Sequence, residues 1–417
     1  MKLKKTDPQI AKLIGKEIER QKTSLEMIPS ENHTSRAVRE ALGSVLTDKY
    51  AEGYPKKRYY AGLEYYDKIE ALCQERAKKL FKVPYVNVQP YSGSPANQAV
   101  YFALLEPGDT VMGMSLPHGG HLTHGWKVSF SGTYYKSVQY TVDKKTNILN
   151  YNAILKLAKE VKPKIIWAGA SSYPRFIDFA KFTTIAKEVN AYLCVDIAHI
   201  AGLIIAGVHP SPVPFADIIT TTTHKTLRGP RGAMIMITKK GQKFDPKLSE
   251  KIDKAVFPGL QGGPHDHQTA AIAVCLKEAA TKEFREYGKQ IVKNAKVLAE
   301  ELSELGFNLL TGGTDNHLML VNLANKNISG KKAQDLLEEA GITVNKNTVP
   351  FDPRPPYDPS GIRLGTPAIT SRGMKEKEMK KVAQMINKVI QNKEKPAKIL
   401  EVKKEVKDLC QKFPLPY

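Results

Sequence analysis

Between about residues 64 and 238 the chain alternates short apolar runs with helical segments, and this pattern restricts the fold more than any other feature. The runs are Val86–Val88, Thr110–Met114, Ile165–Ala168, Ala191–Val195, Ile218–Thr222 and Ala233–Ile237. Helical stretches such as Asp67–Leu80 and Ala96–Leu105 separate them. Strand–helix alternation predicts an α/β fold, a mostly parallel sheet covered by helices on both faces. The last two runs are too close for a parallel crossover, so they are expected to pair antiparallel. Asp7–Gln21 and Ser35–Val45 read as helices, with Ile10, Leu13, Ile14 and Ile18 on one face of the first. Val349–Pro359 carries five prolines and is expected to be a rigid loop. Three parts are anticipated: a helical arm (1–45), a large domain (46–280) and a smaller C-terminal domain (281–417).

Four cysteines, Cys73, Cys194, Cys275 and Cys410, form no C-x-x-C pair, which argues against a disulfide framework or a zinc ribbon and suits a reducing compartment. The N-terminal residues lack the apolar core of a signal peptide, and no stretch is long and apolar enough to span a membrane. The net charge is +21, from 63 basic and 42 acidic residues spread along the chain. Without a recognisable nucleic-acid motif, this reads as a lysine-rich solvated surface, one that also attracts anionic substrates.

Several strings carry chemistry. Leu193-Cys194-Val195-Asp196 is an apolar strand ending in a carboxylate, where open α/β sheets bind ligands. Its Asp either caps the next turn or meets a cation such as a protonated pyridine nitrogen. Thr220 to Thr223, His224 and Lys225 again run a strand into a polar end, with Gly229 and Gly232 following. A lysine there is either a solvated charge or an amine able to condense with an aldehyde. Together Asp196 and Lys225 match the needs of pyridoxal phosphate. Ser92-Gly93-Ser94-Pro95-Ala96-Asn97 opens a helix after a strand, as a phosphate cradle or a simple cap. His118-Gly119-Gly120-His121-Leu122-Thr123-His124 has metal-like spacing, but the glycines disfavour a helix and no acidic ligand is adjacent, so no metal is expected. A ring stacked on an aromatic cofactor is the more economical reading. Arg363, among apolar residues and glycines, could fork a carboxylate or form an internal salt bridge. Glu52, among Tyr50, Tyr54, Tyr59 and Tyr60, is a proton-transfer candidate or part of a packed aromatic loop.

In this order, with Ser30-Glu31-Asn32, Gly262-Gly263-Pro264, Gly312 to His317 and Thr343 to Asn347, the strings resemble the serine hydroxymethyltransferase family over most of the chain. The resemblance implies the aspartate-aminotransferase type (fold type I) of pyridoxal-phosphate fold, with a seven-stranded sheet and a smaller α+β domain. It implies a cytoplasmic homodimer or tetramer that moves a one-carbon unit between serine and tetrahydrofolate. By the same resemblance, Lys225 is the Schiff-base lysine, Asp196 pairs with the ring nitrogen, His121 stacks on the ring and His199 lies near its phenolic oxygen. Ser92, Gly93 and Ser94 hold the phosphate, and Ser171 and His224 also belong to the cofactor site. Gly262, Gly263, Tyr50 and Glu52 come from a neighbouring subunit, with Glu52 moving a proton. Arg363, Ser30 and Tyr60 serve the substrate, and Leu116, Gly120, Leu122 and Asn347 the folate. Pro29 stands where the family has alanine, which is expected to shift the loop carrying Ser30 and Glu31. Two alternatives remain: a folate-independent aldolase on the same core, and an RNA-binding protein on an idle scaffold.

Overall fold

The structure, a computed structural model, describes residues 2–416 and divides into two bodies: residues 34–289, and residues 2–33 together with 290–416. Contacts divide the chain at 33 and 289, where the sequence reading anticipated 45 and 280. The N-terminal segment does not form an arm of its own. Its strand Leu25–Glu26 pairs parallel with Ile342–Thr343, and the guanidinium of Arg372 donates to the carbonyls of Gln21, Lys22, Ser24, Cys410 and Phe413. Helix ends carry carbonyls without an intrahelical partner, and one arginine here satisfies those of Pro8–Thr23 and Pro396–Lys412.

The body 34–289 is built on a seven-stranded sheet: β1 (Tyr85–Asn87), β2 (Thr110–Met114), β3 (Lys136–Tyr140), β4 (Ile165–Ala168), β5 (Tyr192–Asp196), β6 (Ile218–Thr222) and β7 (Ala233–Ile237), in the spatial order β1-β7-β6-β5-β4-β2-β3. Only β7 runs against its neighbours, as its short connection to β6 requires. The pleat sends alternate residues to opposite faces. Met112, Ile166, Leu193, Val195, Ile219 and Met234 enter one core, with Phe182, Cys73 and Ile272 from its helices. Val111, Ile165, Trp167, Cys194, Ile218 and Ile235 enter the other, with Tyr101 and Ile252. Each Ile or Val so buried contributes about 1.5–3 kcal/mol. All four cysteines are buried and free.

The second body is α+β. A four-stranded antiparallel sheet, whose middle strands are Leu318–Asn322 and Gly361–Gly365, packs with the helices Gly330–Glu339, Glu376–Gln391 and Pro396–Lys412 around Leu25, Met319, Ile362, Ile386 and Val402. The helix Pro8–Thr23 is capped by Asp7, which accepts from the Gln9 and Ile10 amides, but it buries none of its residues. The apolar stripe read from the sequence is present and faces outward. No described helix is long and apolar enough to cross a membrane.

Candidate active site

The parallel strands β5 and β6 end side by side, with Asp196 in register with Thr220. Beyond them lies a small enclosed pocket, lined by Lys225, Asp196, His121, His124, His199, Thr222, Ser171, Gly93, Ala170 and Ala198. Lys225 is 9% exposed, so the solvated-charge alternative for it does not hold.

Asp196 is held by its own chain. One carboxylate oxygen accepts from the Asn97 amide (3.0 Å) and from Nε2 of His124 (3.1 Å), and the other from the Ala198 N–H (2.9 Å). Burial alone would raise this carboxyl. The His124 hydrogen bond, followed by the electrostatic influence of the neighbouring His124, His121 and Lys225, outweighs burial and holds it below the ordinary carboxylate range. His124 stacks on Trp167 at 5.3 Å between ring centroids, which fixes the donor.

His121 Nδ1 accepts from the Thr123 amide (3.2 Å) and sits 2.7 Å from the Thr123 hydroxyl. Burial, with His124 and Lys225 nearby, pushes its pKa down to about 4, so the ring is neutral at physiological pH. His121, His124 and Asp196 bring three donor atoms within 4.8 Å of one another. The acidic group missing beside the histidines in the sequence is thus supplied by another strand. Both oxygens of that carboxylate are already engaged by hydrogen bonds within the chain.

The cradle is built as the glycine suggested. The helix Gly93–Leu104 starts at Ser92, whose side chain makes no capping hydrogen bond, so the simple-cap alternative is not realised. A Cβ on Gly93 would lie 2.7 Å from the Thr222 methyl. Thr222 Oγ1, Thr220 Oγ1 and His224 Nδ1 are buried without a protein partner. Such groups at a helix N-terminus suit an anion with several acceptor oxygens. Lysine, carboxylate, neutral ring and cradle together fit pyridoxal phosphate. Nearby, Gly120 leaves no room for a Cβ against the Met114 carbonyl, and the Gly119 carbonyl accepts from the Ser171 amide (2.7 Å). Leu116 and Leu122 lie in two short 3₁₀ turns on either side of these glycines.

Tyr50, Glu52, Tyr60, Gly262 and Gly263 form a second group that does not line the pocket. A Cβ on Gly262 would lie 3.2 Å from a Glu52 carboxylate oxygen, and one on Gly263 would lie 3.0 Å from the Tyr50 ring. Tyr50 and Tyr60 are 5.8 Å apart and are 63% and 49% exposed, so this is not a packed aromatic core. The loop is clasped by buried Arg58, which donates to the carbonyls of Ala51 (2.7 Å) and Gly53 (2.9 Å) on either side of Glu52. The same guanidinium pairs with Glu70 (2.7 Å) and Asp67 (2.9 Å).

In the other body, Arg363 lies mid-strand opposite Leu320 and Asn345, and its Nε donates to the Asn345 side-chain oxygen (3.0 Å). Burial brings its pKa down to about 10, with Glu31 as the opposing charge. Asn347 pairs with Gly361 at the end of the same ladder. Ser30 and Glu31 lie in the turn after Met27, where the Glu31 amide returns to the Ile28 carbonyl (3.0 Å). Pro29 packs against Gly365, its Cα, Cβ and Cγ 2.6–2.8 Å from where a Cβ would stand.

Sequence reasoning passed over His124, Asn97 and Thr222 as site residues. Each lies in a string it had singled out, but Asn97 and His124 meet Asp196 from another string, and Thr222 is set against Gly93.

A family profile described as "Serine hydroxymethyltransferase" matches residues 3–386. A curated relative from Desulfotalea psychrophila, named "Serine hydroxymethyltransferase", is 58% identical over 414 residues, covering 99% of this chain and 96% of its own length.

Proposed function

The chain belongs to the serine hydroxymethyltransferase family, and from this premise we propose how its residues divide the work. The fold is that of the fold type I pyridoxal-phosphate transferases. The reaction is the reversible transfer of the serine hydroxymethyl group to tetrahydrofolate, giving glycine and 5,10-methylenetetrahydrofolate. Bound pyridoxal 5'-phosphate supplies an electron sink for bonds at the substrate Cα.

The observation that carries the assignment of residues is Asp196, at the end of β5, and Lys225, just beyond the end of the adjacent parallel β6, lining one pocket with the Gly93 cradle. Lys225 holds the cofactor covalently. Asp196 stays ionised and keeps a proton on the ring nitrogen, and the neutral His121 ring offers an uncharged face for stacking. Ser92, Gly93, Ser94 and His224 hold the phosphate, with Ser171 and His199 at the ring substituents. Arg363 forks the serine carboxylate, assisted by Ser30 and Tyr60. Glu52 moves the proton that the hydroxymethyl transfer requires. Leu116, Gly120, Leu122 and Asn347 contact the folate.

The active form in this reading is a homodimer or higher assembly in the cytoplasm, in which Tyr50, Glu52, Gly262 and Gly263 complete the partner's pocket. Two observations support this: the four gather together without lining the pocket of their own chain, and Tyr50 is exposed. The free cysteines are in keeping with a reducing compartment.

The test is spectroscopic. Protein loaded with pyridoxal phosphate should absorb near ~420 nm, and glycine should raise a further band near ~500 nm only when tetrahydrofolate is present. The first band without the second would assign a folate-independent aldolase instead.

A further inference from the structure

A chain of hydrogen bonds joins Asp196 to His121 through two buried residues, Asn97 and Thr123. The Asn97 side-chain nitrogen lies 3.0 Å from an Asp196 oxygen and 2.8 Å from the Thr123 hydroxyl, while the Asn97 side-chain oxygen meets no partner in the protein. Turned the other way, that oxygen would face the Asp196 carboxylate, acceptor against acceptor. Asn97 therefore donates one hydrogen to Asp196 and the other to Thr123 Oγ1. The Thr123 carbonyl accepts from the buried Tyr101 hydroxyl (2.8 Å), which holds the turn from a third side.

A hydroxyl has one hydrogen to give. Thr123 Oγ1 accepts from Asn97, and its next neighbour is His121 Nδ1 at 2.7 Å. The same Nδ1 takes the Thr123 backbone N–H at 3.2 Å. A proton on Nδ1 would point at that backbone hydrogen, so Nδ1 accepts, and the hydroxyl hydrogen lies between Thr123 and His121. A neutral imidazole with an accepting Nδ1 carries its proton on Nε2. Nε2 is on the opposite edge of a ring that lines the pocket.

We propose that Thr123 is a positioning residue for His121: its hydroxyl, oriented by Asn97 from the Asp196 carboxylate, closes Nδ1 to protons and fixes the tautomer that carries the proton on Nε2. The order of hydrogens runs from the carboxylate to the ring, and His121 turns a hydrogen-bond donor, not a base, toward the pocket. This deepens the reading that sets His121 against the cofactor ring, and rests on it.

The test is ring-nitrogen NMR of the holoenzyme with isotope-labelled histidine, the His121 signals being assigned by their loss in His121→Gln. Nε2 should give the signal of a protonated nitrogen and Nδ1 that of a bare one. The reverse overturns the proposal, and this arm depends on no variant of Thr123. In Thr123→Val the backbone N–H remains and the hydroxyl is gone. A donor to Nδ1 favours the neutral ring, so its loss should raise the ring's proton affinity roughly tenfold. The charged groups that face the ring are His124 on its own turn, Asp196 at the end of β5 and Lys225 just beyond β6, and the variant alters none of them. At about pH 5.5 the ring should be partly protonated in Thr123→Val and still neutral in the wild type. Thr123→Ser, which returns the hydroxyl, should return the neutral ring. A side chain that only fills space would give Thr123→Val the wild-type titration and Thr123→Ser an altered one, and that result overturns the proposal. Removal of the cofactor separates the two levels. His121 signals that stay in place when pyridoxal phosphate is removed refute the setting of His121 against the cofactor ring, whatever its tautomer. Signals that move while the proton sits on Nδ1 refute only the present inference.

Discussion

The Lys225 pocket and the group of Tyr50, Glu52, Gly262 and Gly263 lie in the same body but are built in opposite ways. In the pocket, both Asp196 oxygens are bonded by its own chain, and His121 is pinned by Thr123. In the other group, tyrosine rings face outward, and the order comes from below, where Arg58 clasps the backbone on each side of Glu52. A carboxylate taken out of water must have its donors in place before any ligand arrives, or it takes up a proton. Glu52, half-buried beside exposed tyrosines, is under a weaker requirement of that kind. Preorganisation is concentrated where a charge is buried.

The largest effect should come from the pocket. Lys225→Ala should lose the ~420 nm band and reduce turnover on the order of 10³-fold or more. Wild-type rates in that variant would remove the pocket from the comparison altogether. Next is the clasp. Arg58→Ala leaves Glu70 buried without its cation, and should cost about 3–5 kcal/mol in denaturant unfolding. A loss below about 1 kcal/mol would mean that the Glu52 loop needs no internal anchor. The smallest and most discriminating effect is a mixture. Lys225→Ala and Glu52→Gln, inactive alone, should recover about a quarter of the wild-type rate when co-refolded, since half the dimers are mixed and each has one intact site. No recovery would show that Glu52 serves its own chain, and the contrast between the two groups would then reflect only solvent exposure.

The features legible in the sequence are those whose cause is local. Six strands show as apolar runs because they are covered on both faces. Lys136–Tyr140 does not, because it is an edge strand, partly exposed and alternating with polar residues. Asp196, Lys225 and Gly93 are readable from their places at strand and helix ends. His124 is not, since its role depends on an Asp196 that is 72 positions away. The pairing that joins residues 2–33 to residues 290–416 is not legible for the same reason. The ladder between Leu25–Glu26 and Ile342–Thr343 leaves no mark in either segment alone.

That ladder, with the Arg372 clasp, has a consequence for the order in which the protein can be made. On a ribosome residues 2–33 emerge before anything they bind. Their strand partner, Arg372 and the carbonyls of Cys410 and Phe413 are all made only after the whole of 34–289. The stretch 34–289 is contiguous and can fold while synthesis continues, whereas the body that contains residues 2–33 closes only after residues 290–416 are made. Throughout that wait Leu25 and Met27, both fully buried at the end, stand exposed on the nascent chain, an early site for chaperone capture.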